Sequence, residues 1–347
     1  MSIRHLPFLD VFEDASGGNI KTPSSEFLKN GKIPVIDQGQ SFIAGYVNDP
    51  VKICKSKPPV IVFGDHTKAI KYVDFYFAMG ADGTKVLEPK NGNHTKYLFY
   101  ALRALHIPDA GYSRHYKFLK ETIIPLPPLP EQKRIAAILD AADALRAKRR
   151  EALAQLDALL QSSFLTLFGD PVTNPMGFAR APLGDVVKLK SGNSLVAKDM
   201  TEGGEFPVYG GNGINGYHDS YMFEEPMIVI GRVGAYCGAV YLSKSKSWVT
   251  DNALYVDRFL KPIETSYLVT ALVAADLNQY AGRAAQPLIS GSRVYPVEIT
   301  MPPLPLQQKF AAIVESIERQ KTTQRAHLAE LDALFAALQH RAFRGEL

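Results

Sequence analysis

The feature that most restricts the fold is that the chain is written twice. The stretch PPLPEQKRIAAILD, Pro127 to Asp140, returns as PPLPLQQKFAAIVE, Pro302 to Glu315, at an offset of 175 residues. The same offset lays Leu153 to Leu160 on Leu328 to Phe335 without a gap, and Asp10, Val11, Ser16 and Gly17 on Asp185, Val186, Ser191 and Gly192. Between these anchors lie weaker echoes with small gaps: KIPVI with EFPVY, and PVIVFGDH with PMIVIGRV. Two copies are too few for a solenoid. The economical reading is a duplication with pseudo-two-fold symmetry, each half a variable globular domain followed by a helical segment.

Both helical segments open on a proline cluster, which suits the first turn of a helix because proline fixes φ and lacks an N–H that would go unpaired there anyway. Gln132 and Gln307 follow in that turn. No strong breaker interrupts residues 131–168 or 306–344, so each helix spans about 38 residues, roughly 57 Å at 1.5 Å per residue. Apolar positions fall on a heptad, which predicts an antiparallel coiled coil. One seam reads Ile135, Ile138, Ala142, Leu145, Arg149, Ala152, Leu156, Leu159 and Ser163. Its counterpart reads Phe310, Ile313, Ile317, Gln320, Gln324, His327, Leu331, Leu334 and Leu338. A second apolar edge, Leu139, Leu153 and Leu160 with Val314, Leu328 and Phe335, exceeds what a two-helix seam needs. This surplus is read as a surface for partner helices; the alternative is packing onto the chain's own domains. Lys148, Arg149 and Arg150 either touch DNA phosphates or form a solvated face.

Residues 1–125 and 170–300 have short β-rich runs, such as Val60 to Phe63 and Met227 to Ile230, separated by Gly, Asn and Asp turns, with helical stretches at Lys96 to Leu105 and Ser266 to Tyr280. The expected class is α+β: two mixed α/β recognition domains separated by two long helices. Their loops are rich in groups that read base edges or hold phosphates. Gly64 to Lys71 offers His66, Thr67, Lys68 and Lys71, and Gly231 to Tyr236 offers Arg232 and Tyr236. Just before the proline clusters, one half carries Ser113, Arg114, His115, Tyr116 and Lys117, and the other Ser290, Ser292, Arg293 and Tyr295. Any one of these fits an ordinary turn or salt bridge; the case for DNA rests on matching loops in both halves.

Catalytic signatures are missing. Gly211 to Gly216 fits G-x-G-x-x-G, but the residues after it do not form a helix that would cradle phosphate. Asn174-Pro175-Met176-Gly177 lacks the aromatic that would stack a flipped base. There is no phosphate-binding GxxxxGK[ST] loop and no HExxH or His-Cys metal spacing. The Asp65-His66 pair has Arg232-Val233 at the matching place, which suits a variable reading loop better than a required acid–base pair. Cys54 and Cys237 form no CxxC motif and read as thiols in a reducing cytoplasm. No long uncharged apolar run predicts a membrane span. The net charge of +4 is modest, with most of the excess in residues 1–130. It permits nucleic-acid binding without requiring it.

The doubled layout, the PLPPLPEQKRIA helix start, the Phe168-Gly169-Asp170 exit and the closing FRGEL together resemble the specificity subunit of type I restriction-modification systems, over essentially the whole chain. The resemblance implies domains at residues 1–126 and 171–301, with helical regions at 127–170 and 302–347. It further implies a non-catalytic subunit in which each domain reads one half of a bipartite double-stranded DNA target, while the helices set the spacer. Its implied partners are two DNA adenine methyltransferase subunits, which bind S-adenosylmethionine, and ATP-dependent translocase-nuclease subunits that join them. This chain would hold no cofactor itself. Two rivals remain: a coiled-coil adaptor without DNA specificity, and a stand-alone nuclease or methyltransferase.

Overall fold

The computed structural model describes residues 3–109, 111, 113–282 and 287–347. The chain divides into two compact units, residues 1–150 with 326–347, and residues 151–325. In the first unit an antiparallel sheet runs in the order Phe12–Asp14, Thr84–Pro89, Val60–Gly64, Ile70–Val73. Val60–Gly64 has neighbours on both sides and is buried throughout, which is why it reads as an unbroken apolar run. A second sheet runs Lys21–Thr22, Ala78–Gly80, Ile33–Ile36, Gly45–Val47; Ala78–Gly80 lies parallel to Ile33–Ile36, and Gly45–Val47 antiparallel to it. The second unit repeats the plan. Its first sheet is Val187–Ser191, Ala253–Phe259, Ile228–Gly231, Val240–Leu242, and its second is Gly213–His218, Phe206–Gly210, Trp248–Val249. The 175-residue offset therefore carries three-dimensional meaning: the short helix Phe8–Val11 recurs as Leu183–Val186, and strand Ile123–Leu126 as Glu298–Thr300.

The long helices are Leu129–Phe168 and Leu304–Arg344. Each is seated by a buried glutamine in its first turn. Gln132 Oε1 accepts the His94 backbone N–H at 2.9 Å, and its Nε2 donates to the Pro127 carbonyl at 2.9 Å. Gln307 does the same with Glu264 N–H and the Pro302 carbonyl, both at 2.8 Å. His94 and Glu264 each precede a domain helix, Thr95–Ala104 and Thr265–Ala274. One carboxamide thus satisfies backbone groups that two helix starts would otherwise leave unpaired. A tyrosine completes each seat. Tyr97 donates to Pro125 O at 2.7 Å and Tyr267 to Thr300 O at 2.9 Å; the two acceptors are again 175 residues apart. Burial pushes both phenols upward, so they stay protonated donors. Tyr97 packs on Phe343 at 5.7 Å between ring centroids, and Tyr267 on Phe168 at 4.7 Å. Contacts of this kind add about 0.5–1.5 kcal/mol to area burial.

Within each unit the two helices pack antiparallel, and the charges repeat as well. Arg146 Nε meets Asp332 at 2.6 Å in the first unit, and Lys321 Nζ meets Asp157 at 2.8 Å in the second. Each cation also takes a carboxylate one turn back, Asp143 or Glu318. Both cross-pairs obey one register, so they choose among alignments that apolar contacts alone would tolerate. Burial pulls the Lys321 ammonium down, but Asp157 and Glu318 outweigh it and the net shift is upward. That contribution is complete below the ordinary lysine value of 10.5 and is lost as pH rises through the higher folded value.

The seam itself differs from expectation. Ile135 and Ala142 are inward as read, but the alternate column runs through Leu139 and Arg146 rather than Ile138 and Leu145, while Ala152 and Leu153 are both half-buried. Leu145, Leu159 and Leu334 are half exposed, at 52, 50 and 48 %. The supposed second edge is thus largely the seam's own other column. Leu139 and Phe335 are buried in the first unit's core against the domain helix, and no partner helix can reach them there. Leu160 and Val314 pack on the Phe164, Phe168, Phe310 cluster, and Leu153 and Leu328 are partly covered. The reason is rotational: steps of 3-4 and 4-3 share every seventh residue and differ by one position between, which apolar spacing alone does not decide. Replacing Gln132 with Ala should cost about 1–3 kcal/mol by orphaning buried backbone groups; chemical denaturation of Gln132→Ala beside Gln132→Glu measures it, and an unchanged midpoint for the alanine variant contradicts the seat.

Candidate nucleic-acid interface

In the first unit the central strand ends at Gly64, and the turn after it is the hub of the site. Lys68 N–H returns to Gly64 O at 2.8 Å, with Lys68 in the left-handed region at φ 59°. Asp65 sits at the crossing point. Its N–H donates to Gly83 O at 2.7 Å, its carbonyl accepts from His115 N at 2.7 Å, and its carboxylate accepts from Tyr116 N at 2.8 Å. The two segments flagged from sequence, 64–71 and 113–117, therefore come together. A third segment, missed from sequence, joins them: Gln38 Oε1 accepts the His66 N–H at 3.2 Å and the Gln38 carbonyl accepts the Thr67 hydroxyl. A Cβ on Gly64 would lie 2.6 Å from the Gln38 carbonyl oxygen, so glycine is required for this approach.

Three residues expected to face DNA instead build the loop from within. Lys71 is buried, and its ammonium donates to Asp37 O at 2.8 Å and Ser41 O at 2.6 Å, with the Asp37 carboxylate at 3.4 Å. Burial pulls its pKa down and Asp37 only partly restores it. Lys71 falls on the inward face of strand Ile70–Val73, beside Val73, so its stem reaches the 37–41 segment from inside. His115 is buried with Nδ1 3.0 Å from Asp65 O. Tyr116 is buried against Phe8 and under the Lys85 ammonium; burial, then Asp14 and Asp65, push its phenol up. Arg114 and Lys117 are exposed, and His66, Thr67, Lys68 and Ser113 are half-buried. Lys68 has an exposed partner in Asp109 at 3.6 Å.

The second unit gathers corresponding segments with different chemistry. Its strand ends at Gly231, and the Arg232 carbonyl accepts from Ile289 N at 2.8 Å, as the Asp65 carbonyl accepts from His115. The Arg232 guanidinium donates to Ser191 Oγ at 3.2 Å and lies 3.4 Å from Asp251 O. Tyr236 is 58 % exposed, and Ser292 and Arg293 are exposed. Ser290 and Ser292 hydroxyls bond each other at 2.9 Å. Tyr295 is the corresponding correction: its hydroxyl takes the Leu189 N–H at 3.0 Å, so it braces the sheet edge. Both cysteines are buried. Of the basic run, Arg150 bonds Asp332 at 3.1 Å, while Lys148 is exposed. Among the described residues no cluster suits a metal ion, and no helix is long and apolar enough to cross a membrane.

Two domains built alike, each closing its loops around a strand-end glycine and each seated on a long helix, define a duplicated recognition protein. A family model described as the type I restriction modification DNA specificity domain matches residues 9–155 and 175–333. The chain belongs to that family. The type I restriction enzyme EcoR124I/EcoR124II specificity subunit of Escherichia coli is 36% identical over 161 residues, 43% of this chain and 40% of that protein. The EcoprrI specificity subunit of the same species is 31% identical over 143 residues, 40% of this chain and 35% of that one. The chain thus matches less than half the length of either relative. A crystal structure of the type I restriction-modification system S subunit from M. genitalium shares the fold, with a TM-score of 0.69 at 17% identity over 99% of this chain and 96% of that one.

The Lys71 strut generates a test. Lys71→Met should speed amide exchange across residues 37–41 by about tenfold or more while the sheets keep their protection; unchanged exchange in that segment contradicts the strut.

Proposed function

We propose that this chain is the non-catalytic, DNA-reading subunit of a type I restriction-modification complex, with domains at 1–126 and 171–301 and helical regions at 127–170 and 302–347. Each domain reads one half of a bipartite duplex target, and the long helices fix the spacer between the halves. Two DNA adenine methyltransferase subunits are the partners; they bring S-adenosylmethionine, and translocase-nuclease subunits bring ATP hydrolysis. The observation that carries this reading is the repetition of the Gly64 and Gly231 turns, which close on equivalent segments but present different side chains. A shared scaffold with divergent loops is what two half-sites of different sequence require. Family membership supports the same role, and helices of 40 and 41 residues are long enough to span the 34–36 Å of about one turn of duplex.

Two results follow. Inserting about four residues into each long helix should change the spacer length and leave both half-sites intact, as methylation mapping of host DNA would read it. Altered half-sites after the insertion would refute the ruler. Exchanging residues 1–125 for those of another family member should change one half-site only; a change in both would overturn the modular assignment. An adaptor without specificity is the remaining alternative, and it predicts equal affinity for target and scrambled duplexes at fixed salt.

A further inference from the structure

We infer that a hairpin tip in the second sheet of each unit is a base-reading element, and that Gln40 and Asn212 at those tips each recognise an adenine; this rests on the DNA-reading role proposed above. The two tips occupy one place in the topology. In the first unit the tip, residues 37–44, joins Ile33–Ile36 to the antiparallel Gly45–Val47, and Ile33–Ile36 also pairs in parallel with Ala78–Gly80. In the second unit the tip, residues 211–212, joins Phe206–Gly210 to the antiparallel Gly213–His218, and Phe206–Gly210 pairs in parallel with Trp248–Val249. Each tip then lies against the glycine that ends the central strand of the other sheet. Gly64 faces the backbone of Gln38, and Gly231 faces the carbonyl of Gly211 so closely that a side chain would not fit. The tips therefore stand beside the loops already assigned to DNA.

The tips differ in length and in how they are held, yet they present the same chemical group. The longer one needs the buried Lys71 strut across Asp37 and Ser41. The two-residue tip is closed by the Gly210–Gly213 pairing and lies tight against Gly231. Each carries an exposed carboxamide directly after a glycine: Gly39-Gln40 and Gly211-Asn212. Gln40 donates one amide hydrogen to Thr67 O at 3.3 Å. That bond uses one amide hydrogen, so the exposed side chain keeps a second N–H and its carbonyl oxygen for a ligand. A donor and an acceptor side by side match the N7 acceptor and N6 donor of adenine in the major groove. Beside Gln40 an open cleft of about 520 Å³ is lined by Lys68, Arg103, His106 and Asp109. Lys68 and Arg103 each have a carboxylate neighbour, at 3.6 and 3.5 Å, and both retain donors for the phosphates that flank a read base.

Selection of bound duplexes from a randomised pool, using the full chain in the complex purified from its host, tests this. Gln40→Ala should lower the preference for adenine at one position of one half-site by about tenfold or more, with the other half-site as sharp as before. Asn212→Ala should do the reverse. Gln40→Glu should shift that position toward cytosine, whose N4 donor suits a carboxylate, an outcome that a merely structural role would not give. The unaffected half-site reports that each variant is folded and assembled. A wild-type target retained by both alanine variants overturns the tip assignment while leaving the DNA-reading role standing. If the wild-type complex selects no sequence at all, both fall together.

Discussion

A buried carboxamide holds each half of this protein together. Gln132 and Gln307 join the start of a long helix to the start of a domain helix. The Gln307 bonds to Glu264 and Pro302 go to backbone groups, as do the Gln132 bonds to His94 and Pro127; Gln132 adds one side-chain partner, donating to Asn93 Oδ1 at 3.1 Å. The His94 and Glu264 N–H groups serve equally well although their side chains differ in charge and shape. Apart from Asn93, the domain's own side chains are therefore free to drift while the attachment persists. A salt bridge in the same place would have required a matched side chain from every domain that docks there. Removing either glutamine would strand buried donors and acceptors, a larger penalty than losing an exposed contact.

Around that seat, packing and charge divide the work. Aromatic rings fix the angle at which each domain meets its helix, through Tyr97 on Phe343 and Tyr267 on Phe168. The ion pairs Arg146–Asp332 and Lys321–Asp157 fix how far one helix is slid along the other. Partly exposed pairs of this kind add little stability, up to about 1 kcal/mol. Their value is in discrimination, since a slid helix would place lysine or arginine against leucine.

Much of this was legible in the sequence, because duplication and proline-led helices are local patterns. The 175-residue offset predicted which residues would occupy equivalent places, and the Gln132/Gln307 and Asp157/Asp332 equivalences follow it, while Tyr97 and Tyr267 correspond across a small gap. Contacts between segments far apart in the chain were not legible. Lys71 looks like a surface cation until the 37–41 loop is folded over it. Leu139 and Ile138 are neighbours of equal apolarity, and only the domain helix decides that Leu139 turns inward. The 37–41 stretch, Asp-Gln-Gly-Gln-Ser, is polar and without periodicity, so its place beside Gly64 emerged only from the crossing of two sheets.

The contrast between an eight-residue tip and a two-residue tip on the same pair of strands bears on inheritance. Neither Gln40 nor Asn212 belongs to a core, so substitutions at these two positions leave folding energy almost untouched. If these tips read bases as inferred above, a lineage carrying this scaffold can wander between recognised words by small mutations, with no need to replace a whole head.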